Sequence, residues 1–435
     1  MRNTPIALLA LALVACTSSD LRERMDAAGV FSPSRTDAGR ERVVELGRLL
    51  FFDRELSGNR NTACASCHMP FHHAQDELSL GRGQGASGLG HARTGGPGLP
   101  RNTIAPFNRS FADSLLWDGR VERLADGSIR APVPLPEGVD TLLEAQALLP
   151  LLDREEMRGE VGDRDVRGAE NELAAFGDDA PEAIWAAIMA RLMAIPDYRR
   201  FFADAFPGTP EGEHDISHAV EAIARFEMHL WELTDTPFDA YLGSEHREPI
   251  EEALQGDALA GADLFFGDAG CDRCHSGPLL SDDAFHNIGV PHVGPGKERG
   301  LDEGRFLVTR DPLDRFAFRT PPLRNVAMTA PYMHNGSVVG LEAAIRVHLD
   351  PRSALAGPAL GPDGVHVEVD PAVSAEIAQT LDADAAPLRP LVDAEIAQLV
   401  AFLQQLTSET ELRIFPGAGE PASVPSGLEV DRVID

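Results

Sequence analysis

Residues 64–68 read Cys64-Ala65-Ser66-Cys67-His68, and residues 271–275 read Cys271-Asp272-Arg273-Cys274-His275. Two cysteines at this spacing can each add to one vinyl group of a haem, and the histidine that follows can reach the iron. C-x-x-C-H is therefore the attachment signature of a c-type haem. A single copy in a long chain could equally be a redox dithiol or chance. Two copies with a shared lead-in are much more specific. Gly47-Arg48-Leu49-Leu50-Phe51-Phe52 runs into the first motif and Gly261-Ala262-Asp263-Leu264-Phe265-Phe266 into the second. This is an internal repeat of a helix entering a haem-binding loop. The expected cofactors are two covalent haem c groups on Cys64, Cys67, Cys271 and Cys274, with His68 and His275 on the irons.

The 435 residues suffice for two or three domains with substantial cores. An apolar content of 43% with 25% charged residues reads as soluble and globular. The net charge of −31 excludes nucleic acid as a partner and would steer a basic one, although acidity also serves solubility alone. Residues 1–19 read as a signal peptide: Arg2, an apolar run from Ile6 to Ala15, then Leu13-Val14-Ala15-Cys16. The run is too short to span a bilayer. Its ending is similar to a bacterial lipobox, which would put a lipid on Cys16; an ordinary cleaved signal with an incidental cysteine is the alternative. The five cysteines are then all assigned. The expected location is the periplasm, with the protein lipid-anchored, at the outer membrane rather than the inner.

In order, the sequence predicts a polar tether over 20–40 and a first domain over 41–245. A second domain follows over 246–410, and an extended surface tail over 411–435. Helical patterns cover Glu41 to Phe52, Leu142 to Leu152, Ala180 to Phe206, Ile216 to Tyr241, Leu341 to Leu349 and Asp393 to Leu406. A Gly-rich loop from Ser79 to Pro100 carries His91, and the domain boundary is expected at 243–250. Alternating strand patterns are nearly absent. The fold class is mainly α, with two cytochrome c-like domains each carrying one haem.

The ordered set of motifs resembles the bacterial di-haem cytochrome c peroxidase family, which includes MauG-like enzymes. It comprises the first haem motif, Gly90-His91, Arg101-Asn102-Thr103, Trp117-Asp118-Gly119-Arg120, Asp153 to Met157, the second haem motif, Leu323-Arg324-Asn325-Val326 and Thr329-Ala330-Pro331-Tyr332-Met333-His334. The similarity runs from about Gly47 to Leu406, and Pro425-Ser426-Gly427-Leu428 is similar to MauG-like tails. It implies that the haem on His68 reacts with hydrogen peroxide and that the haem on His275 passes electrons to it. Glu156 then matches the distal acid–base residue and Gln146 a second distal polar group. His91 matches the removable sixth ligand of the first haem, and Trp117 the tryptophan between the haems. Asn102, with the carbonyls of Thr329 and Pro331, matches an interdomain Ca²⁺ site, whose hard oxygen ligands suit that ion. His334 matches a histidine near the second haem.

Each of these residues has a plainer reading: a solvated carboxylate, an exposed glutamine, a loop histidine, a structural indole. The sixth ligand of the second haem departs from the family's usual methionine, or tyrosine in MauG-like members. The matched position is His348, which shares a helical face with Leu341 and Ile345. A hydrogen-bonded core histidine is the alternative there, and Met328 and Met333 are rival ligands.

The resemblance implies a peroxidase that reduces hydrogen peroxide to water with electrons from a small donor protein, a cytochrome c or cupredoxin. A MauG-like enzyme that oxidises residues of a partner protein through high-valent haem is the alternative. A di-haem electron carrier is less compatible with Glu156 and Gln146. The oligomeric state is left open, a homodimer included.

Overall fold

The computed structural model describes residues 20–36, 39, 41–244, 246–361, 366–385, 388–413 and 419–432. The expectations for residues 1–19, Cys16 among them, lie outside the described residues. No helix among the described residues is long and apolar enough to cross a membrane.

Helices dominate. A short helix α1 (20–27) precedes α2 (Glu41–Phe52). Then come α3 (Leu142–Ala147), α4 (Pro181–Ala194), α5 (Pro196–Ala205), α6 (Ile216–Trp231), α7 (Pro237–Leu242) and α8 (Gly256–Phe265). The chain ends with α9 (Phe306–Thr309), α10 (Leu341–Leu349), α11 (Pro351–Ala356), α12 (Pro371–Ile377) and α13 (Asp393–Gln404). Strands are two or three residues long. In the first sheet β1 (Ser114–Leu115) pairs antiparallel with β2 (Val121–Arg123), Leu115 opposite Val121, and β2 with β3 (Ile129–Arg130). Further on, β4 (Phe285–His286) pairs with β5 (Phe318–Arg319), Phe285 opposite Arg319.

The repeat in the sequence is a repeat of packing. In α2, a Cβ on Gly47 would lie 1.8 Å from the Ala222 carbonyl oxygen and 3.0 Å from Phe226 Cβ on α6. In α8, a Cβ on Gly261 would lie 1.9 Å from the Gln398 carbonyl oxygen and 2.9 Å from Phe402 Cβ on α13. Each helix pair thus touches backbone to backbone, which only glycine permits at these two positions. Behind each glycine the same aromatic triangle forms. Phe51 and Phe52 lie 5.3 and 6.3 Å from Phe226, while Phe265 and Phe266 lie 5.2 and 5.9 Å from Phe402. All six rings are buried and anchor separate cores, one in each half.

Local sequence explains the element ends. Thr141 and Glu144 form a reciprocal cap that starts α3. The helix expected over Ala180 to Phe206 is broken at Ile195, because Pro196 has no N–H to donate and instead opens α5. The pattern from Ile216 to Tyr241 is likewise divided, since Thr236 caps a new helix that begins at Pro237.

Three features of the chain's organisation differ from expectation. The stretch read as a tether forms α1, and Leu21 and Met25, each 1% exposed, join the second core. The change of core falls between Leu233 and Phe238, ahead of 243–250, because Phe238 and Tyr241 pack with Phe266 and Phe402. The tail is not a loose covering: Val424 is buried in the first core. The first and last described segments therefore cross, each packing on the opposite half.

Charged groups join the halves. Arg101 grips Asp302 through two hydrogen bonds of 2.6 and 2.8 Å and pairs with Asp118 at 2.6 Å. Arg305 reaches back to the Asp118 and Gly119 carbonyls and to Glu122. The Trp117 carbonyl accepts from Arg319 N at 2.9 Å. These bonds seat 101–122 against the second half.

Candidate functional site

Each C-x-x-C-H segment opens as a single 3₁₀ turn, Cys64–Ser66 and Cys271–Arg273, the first after an intervening turn Arg54–Leu56 and the second after residues 267–270, which follow Phe266. None of the four cysteines is in a disulfide. The histidines are oriented alike: His68 Nδ1 lies 3.2 Å from the Ala74 carbonyl and His275 Nδ1 3.0 Å from that of Leu280. A carbonyl accepting from Nδ1–H fixes the tautomer and leaves Nε2 as the free ligand atom. Burial lowers the pKa of both, His275 to about 4, which keeps the imidazoles neutral as a metal requires. The donor set fits haem c at both segments.

The second segment faces an apolar cavity. His348 on α10 meets His275 across it, with ring centroids 6.4 Å apart and planes at 60°. His348 Nδ1 lies 2.8 Å from the Ala344 carbonyl, so its Nε2 is also free. Two imidazoles on opposite sides of one metal, at about 2 Å from metal to nitrogen, stand with centroids about 6 Å apart. Met333 borders the same cavity. Cys274, Asp282 and His286 approach one another with cation-binding spacing, but that sulfur belongs to the C-x-x-C-H pair.

The first segment faces a different set of groups. Glu156 lies on a single π-helical turn, Arg154–Arg158, whose start is capped by Asp153 accepting from Glu156 N at 2.9 Å. Turns of this kind are often found at functional sites. Burial, reinforced by the Asp153 charge and opposed by Arg120 and Lys297, raises the Glu156 carboxyl to about 7. Its charge acts on both Cys64 and Cys67, so it lies near the first cysteine pair. Gln146 is half-buried on α3, the helix before this turn.

The Gly-rich loop clamps the Glu156 turn. Gln84 N donates to the Glu155 carbonyl at 2.8 Å, and Gln84 Nε2 to that of Met157 at 3.2 Å. A Cβ on Gly83 would lie 1.9 Å from the Glu155 carbonyl oxygen, so the loop approaches this closely only as glycine. Gly58 N and Asn171 Nδ2 also bond the Met157 and Arg158 carbonyls.

His91 is not brought to the first site in this conformation. Gly90, at φ +52°, turns the chain outward. The His91 ring is 78% exposed, with Nε2 3.6 Å from Glu77, which also holds His72 at 3.1 Å.

Trp117 Nε1 donates to the Asn102 carbonyl at 3.0 Å, and Trp117 and Gln75, the neighbour of Ala74, both border the second cavity. Asn102, Thr329 and Pro331 border that cavity too. Asn102 Nδ2 donates to the Leu78 and Ser79 carbonyls, so Oδ1 points away from them. His334 is buried, stacked on Phe318 at 3.5 Å and pushed down to about 3 by burial.

Sequence reasoning missed several residues. Glu227 on α6 is raised to about 8 by burial alone, and its charge acts on Cys64. It sits within an ordinary helical pattern, so nothing marked it. Gln84 and Asn171 lie in loops whose partners are distant in the chain. Asp431 was hidden in the tail.

A mainly helical chain with two Cys-Cys-His turns, each with a free imidazole nitrogen, defines a haem-dependent oxidoreductase. The family pattern described as di-haem cytochrome c peroxidase matches residues 41–247. The methylamine utilization protein MauG of Methylorubrum extorquens is 32% identical over 306 residues, covering 69% of this chain and 67% of that protein. Cytochrome c551 peroxidase of Pseudomonas aeruginosa is 30% identical, covering 75% and 76%. Among solved structures, a MauG-like protein associated with microbial copper homeostasis superposes with a TM-score of 0.59 at 28% identity, covering 87% of this chain and 94% of that one. The diheme peroxidase BthA of Burkholderia thailandensis, at 20% identity and a TM-score of 0.58, shares the fold. The chain belongs to the di-haem cytochrome c peroxidase family, is an oxidoreductase, and takes haem c as its cofactor.

Proposed function

We propose that this protein is a di-haem c-type peroxidase that reduces hydrogen peroxide to water with electrons from a small redox protein. The two halves then act as cytochrome c-like domains, one haem on Cys64, Cys67 and His68 and one on Cys271, Cys274 and His275. Bound haem supplies the iron at which the peroxide O–O bond is cleaved and the store of electrons that completes the reduction. The observation that carries this reading is Glu156, a half-buried carboxyl on a π-helical turn beside the first motif, raised to about 7 by desolvation.

A group poised near neutrality can take a proton from one peroxide oxygen and return it to the other, so that the second leaves as water. Gln146 orients the peroxide beside it. His275 and His348 close the second site from both faces, which suits electron storage. Trp117 relays between the sites. His91 covers the first site only in another conformation of the Gly-rich loop. Asn102 Oδ1 and the Thr329 and Pro331 carbonyl oxygens accept no hydrogen bond among the described residues, which suits a Ca²⁺ site between the halves. Secretion to the periplasm, with lipid on Cys16, agrees with covalent haem attachment outside the bacterial cytoplasm.

Steady-state peroxide consumption with a reduced small cytochrome tests the proposal. Rapid turnover that Glu156→Gln abolishes supports it. A second reading, oxidation of a partner protein, is favoured by the likeness to MauG and by a histidine in place of methionine at 348. A long-lived oxidised spectrum with little peroxide turnover would select it.

A further inference from the structure

The C-terminal segment reaches into the first Cys-Cys-His turn. Ser426 docks on Asp53, with Oγ donating to Oδ1 at 2.6 Å and N to Oδ2 at 3.3 Å. Asp53 itself caps the turn Arg54–Leu56 and accepts from the buried Tyr198 hydroxyl at 2.7 Å. Beyond Ser426 lies Asp431, whose side chain is only 5% exposed. One carboxylate oxygen pairs with Arg54 Nη2 at 2.5 Å. The other accepts from Ser66 Oγ, and Ser66 stands between the two cysteines. Ser66 Oγ accepts in turn from Ala63 N at 2.9 Å, directly before Cys64. A short chain of bonds thus runs from Asp431 through Ser66 to the backbone that presents the first cysteine pair.

The second turn is built otherwise. Arg273 takes the place of Ser66 there, and its Nε donates to the Gly270 carbonyl within the same turn at 3.0 Å. From the opposite terminus Gly277 N donates to the Ala28 carbonyl at 2.9 Å, and Arg24 pairs with Asp263 on α8 and acts on Asp272 by charge. The first turn differs in that a side chain from the far end of the sequence hydrogen-bonds the residue between its two cysteines.

We propose that Asp431 is a positioning residue for the first haem, fixing the Cys64–Cys67 turn and through it the setting of His68. A buried carboxylate must keep its partners or lose far more than a surface one. With Arg54 and Ser66 both in place, Asp431 holds Ser66 Oγ in the one orientation that also accepts from Ala63 N. The inference rests on the reading that the first motif carries a haem.

The test compares Asp431→Asn, Ser66→Ala and the double variant as ferric holoenzymes, by EPR and by redox titration of each haem. Expected is a shift in the EPR signature and reduction potential of the first haem in both single variants. The double variant moves no further than the larger single shift, and the second haem stays unmoved. Unchanged first-haem signals in Asp431→Asn, equal shifts of both haems, or additive shifts in the double variant would each overturn the proposal. Mass spectrometry of the wild-type peptide around 64–68 separates the two levels. Haem missing there defeats the underlying reading, whereas haem present but indifferent to Asp431 defeats this inference alone.

Discussion

Replacing Glu156 with Gln removes one proton site and little else, since the two side chains are nearly the same shape. Its carboxyl stands at about 7 against an ordinary 4.5. As a base it must be ionised, so kcat/KM is expected to rise with pH, about tenfold per unit below 7, and to level off above. Glu156→Gln should erase that limb and lower kcat/KM by about 10² to 10⁴, roughly 3–5 kcal/mol of transition-state stabilisation. Stability moves in the opposite direction. Below 4.5 both folded and unfolded forms hold the proton, and nothing is lost. Between 4.5 and 7 the unfolded chain releases it first, so stability falls as pH rises, and above 7 the full cost is present. At 1.36 kcal/mol per unit that cost is at most about 3 kcal/mol, reduced by the carboxyl's residual contact with water. Thermal melts of the holoprotein should show the variant more stable than wild type at pH 8 and equal to it at pH 4. Wild-type turnover with the pH limb intact would refute the assignment, as would a variant that gains no stability at pH 8.

Three further outcomes are expected. His348→Ala should abolish the low-spin bis-histidine EPR signal of the second haem while leaving both haems attached; a persisting signal removes His348 as a ligand. Gly83→Ala would set a methyl 1.9 Å from the Glu155 carbonyl oxygen, so the Glu156 turn must shift. Peroxide turnover should then fall at least tenfold with the second haem's spectrum unaltered. Arg101→Met leaves Asp302 buried without its ion-pair partner and Asp118 with Arg120 alone, and chemical denaturation at pH 7 should show a loss of about 3 kcal/mol. Arg101 holds Asp302 at about 2, and Arg120 together with Arg101 holds Asp118 below its ordinary range, so the stability these pairs give is present above 4 and lost as the solution is acidified towards 2. The gap between variant and wild type should narrow across that range.

The repeat was legible because its physics is local. A glycine one turn ahead of paired phenylalanines states a close helix contact and an aromatic wedge, and both halves keep it. The helical patterns over Glu41–Phe52 and Leu341–Leu349 match their elements for the same reason. Prolines 196 and 237 divided two longer patterns, a rule of backbone chemistry that periodicity alone did not weigh. The tether and tail were misjudged because their few apolar residues are buried by the opposite half of the chain. Leu21 and Val424 carry no periodic signal of their own. Glu156 was recognisable only through its motif, since an acidic turn by itself reads as solvated. The clamp around it depends on Gly83, Gln84 and Asn171 meeting across long sequence separations, which spacing does not encode.

A duplicated scaffold that held two equal haems would have no reason to act in order. Here the difference lies in what each half inserts after its shared helix and turn. The first half devotes residues 79–175 to a Gly-rich loop, α3 and the π-helical turn, which bring the Glu156 carboxyl close to the first cysteine pair. The second half brings α10, whose His348 ring centroid stands 6.4 Å from that of His275. Under the proposed function, two imidazoles on one iron leave peroxide no position at the second site, whereas Glu156 gives the first a proton-moving group. Electrons entering anywhere must therefore end at the first site under this proposal, and Trp117, held by the Asn102 carbonyl and by Arg319 N, is the proposed relay. The crossing of the first and last described segments adds to this asymmetry: Asp431 hydrogen-bonds Ser66 inside the first turn, while α1 and the residue after it reach the second through Arg24 on Asp263 and the Ala28 carbonyl on Gly277.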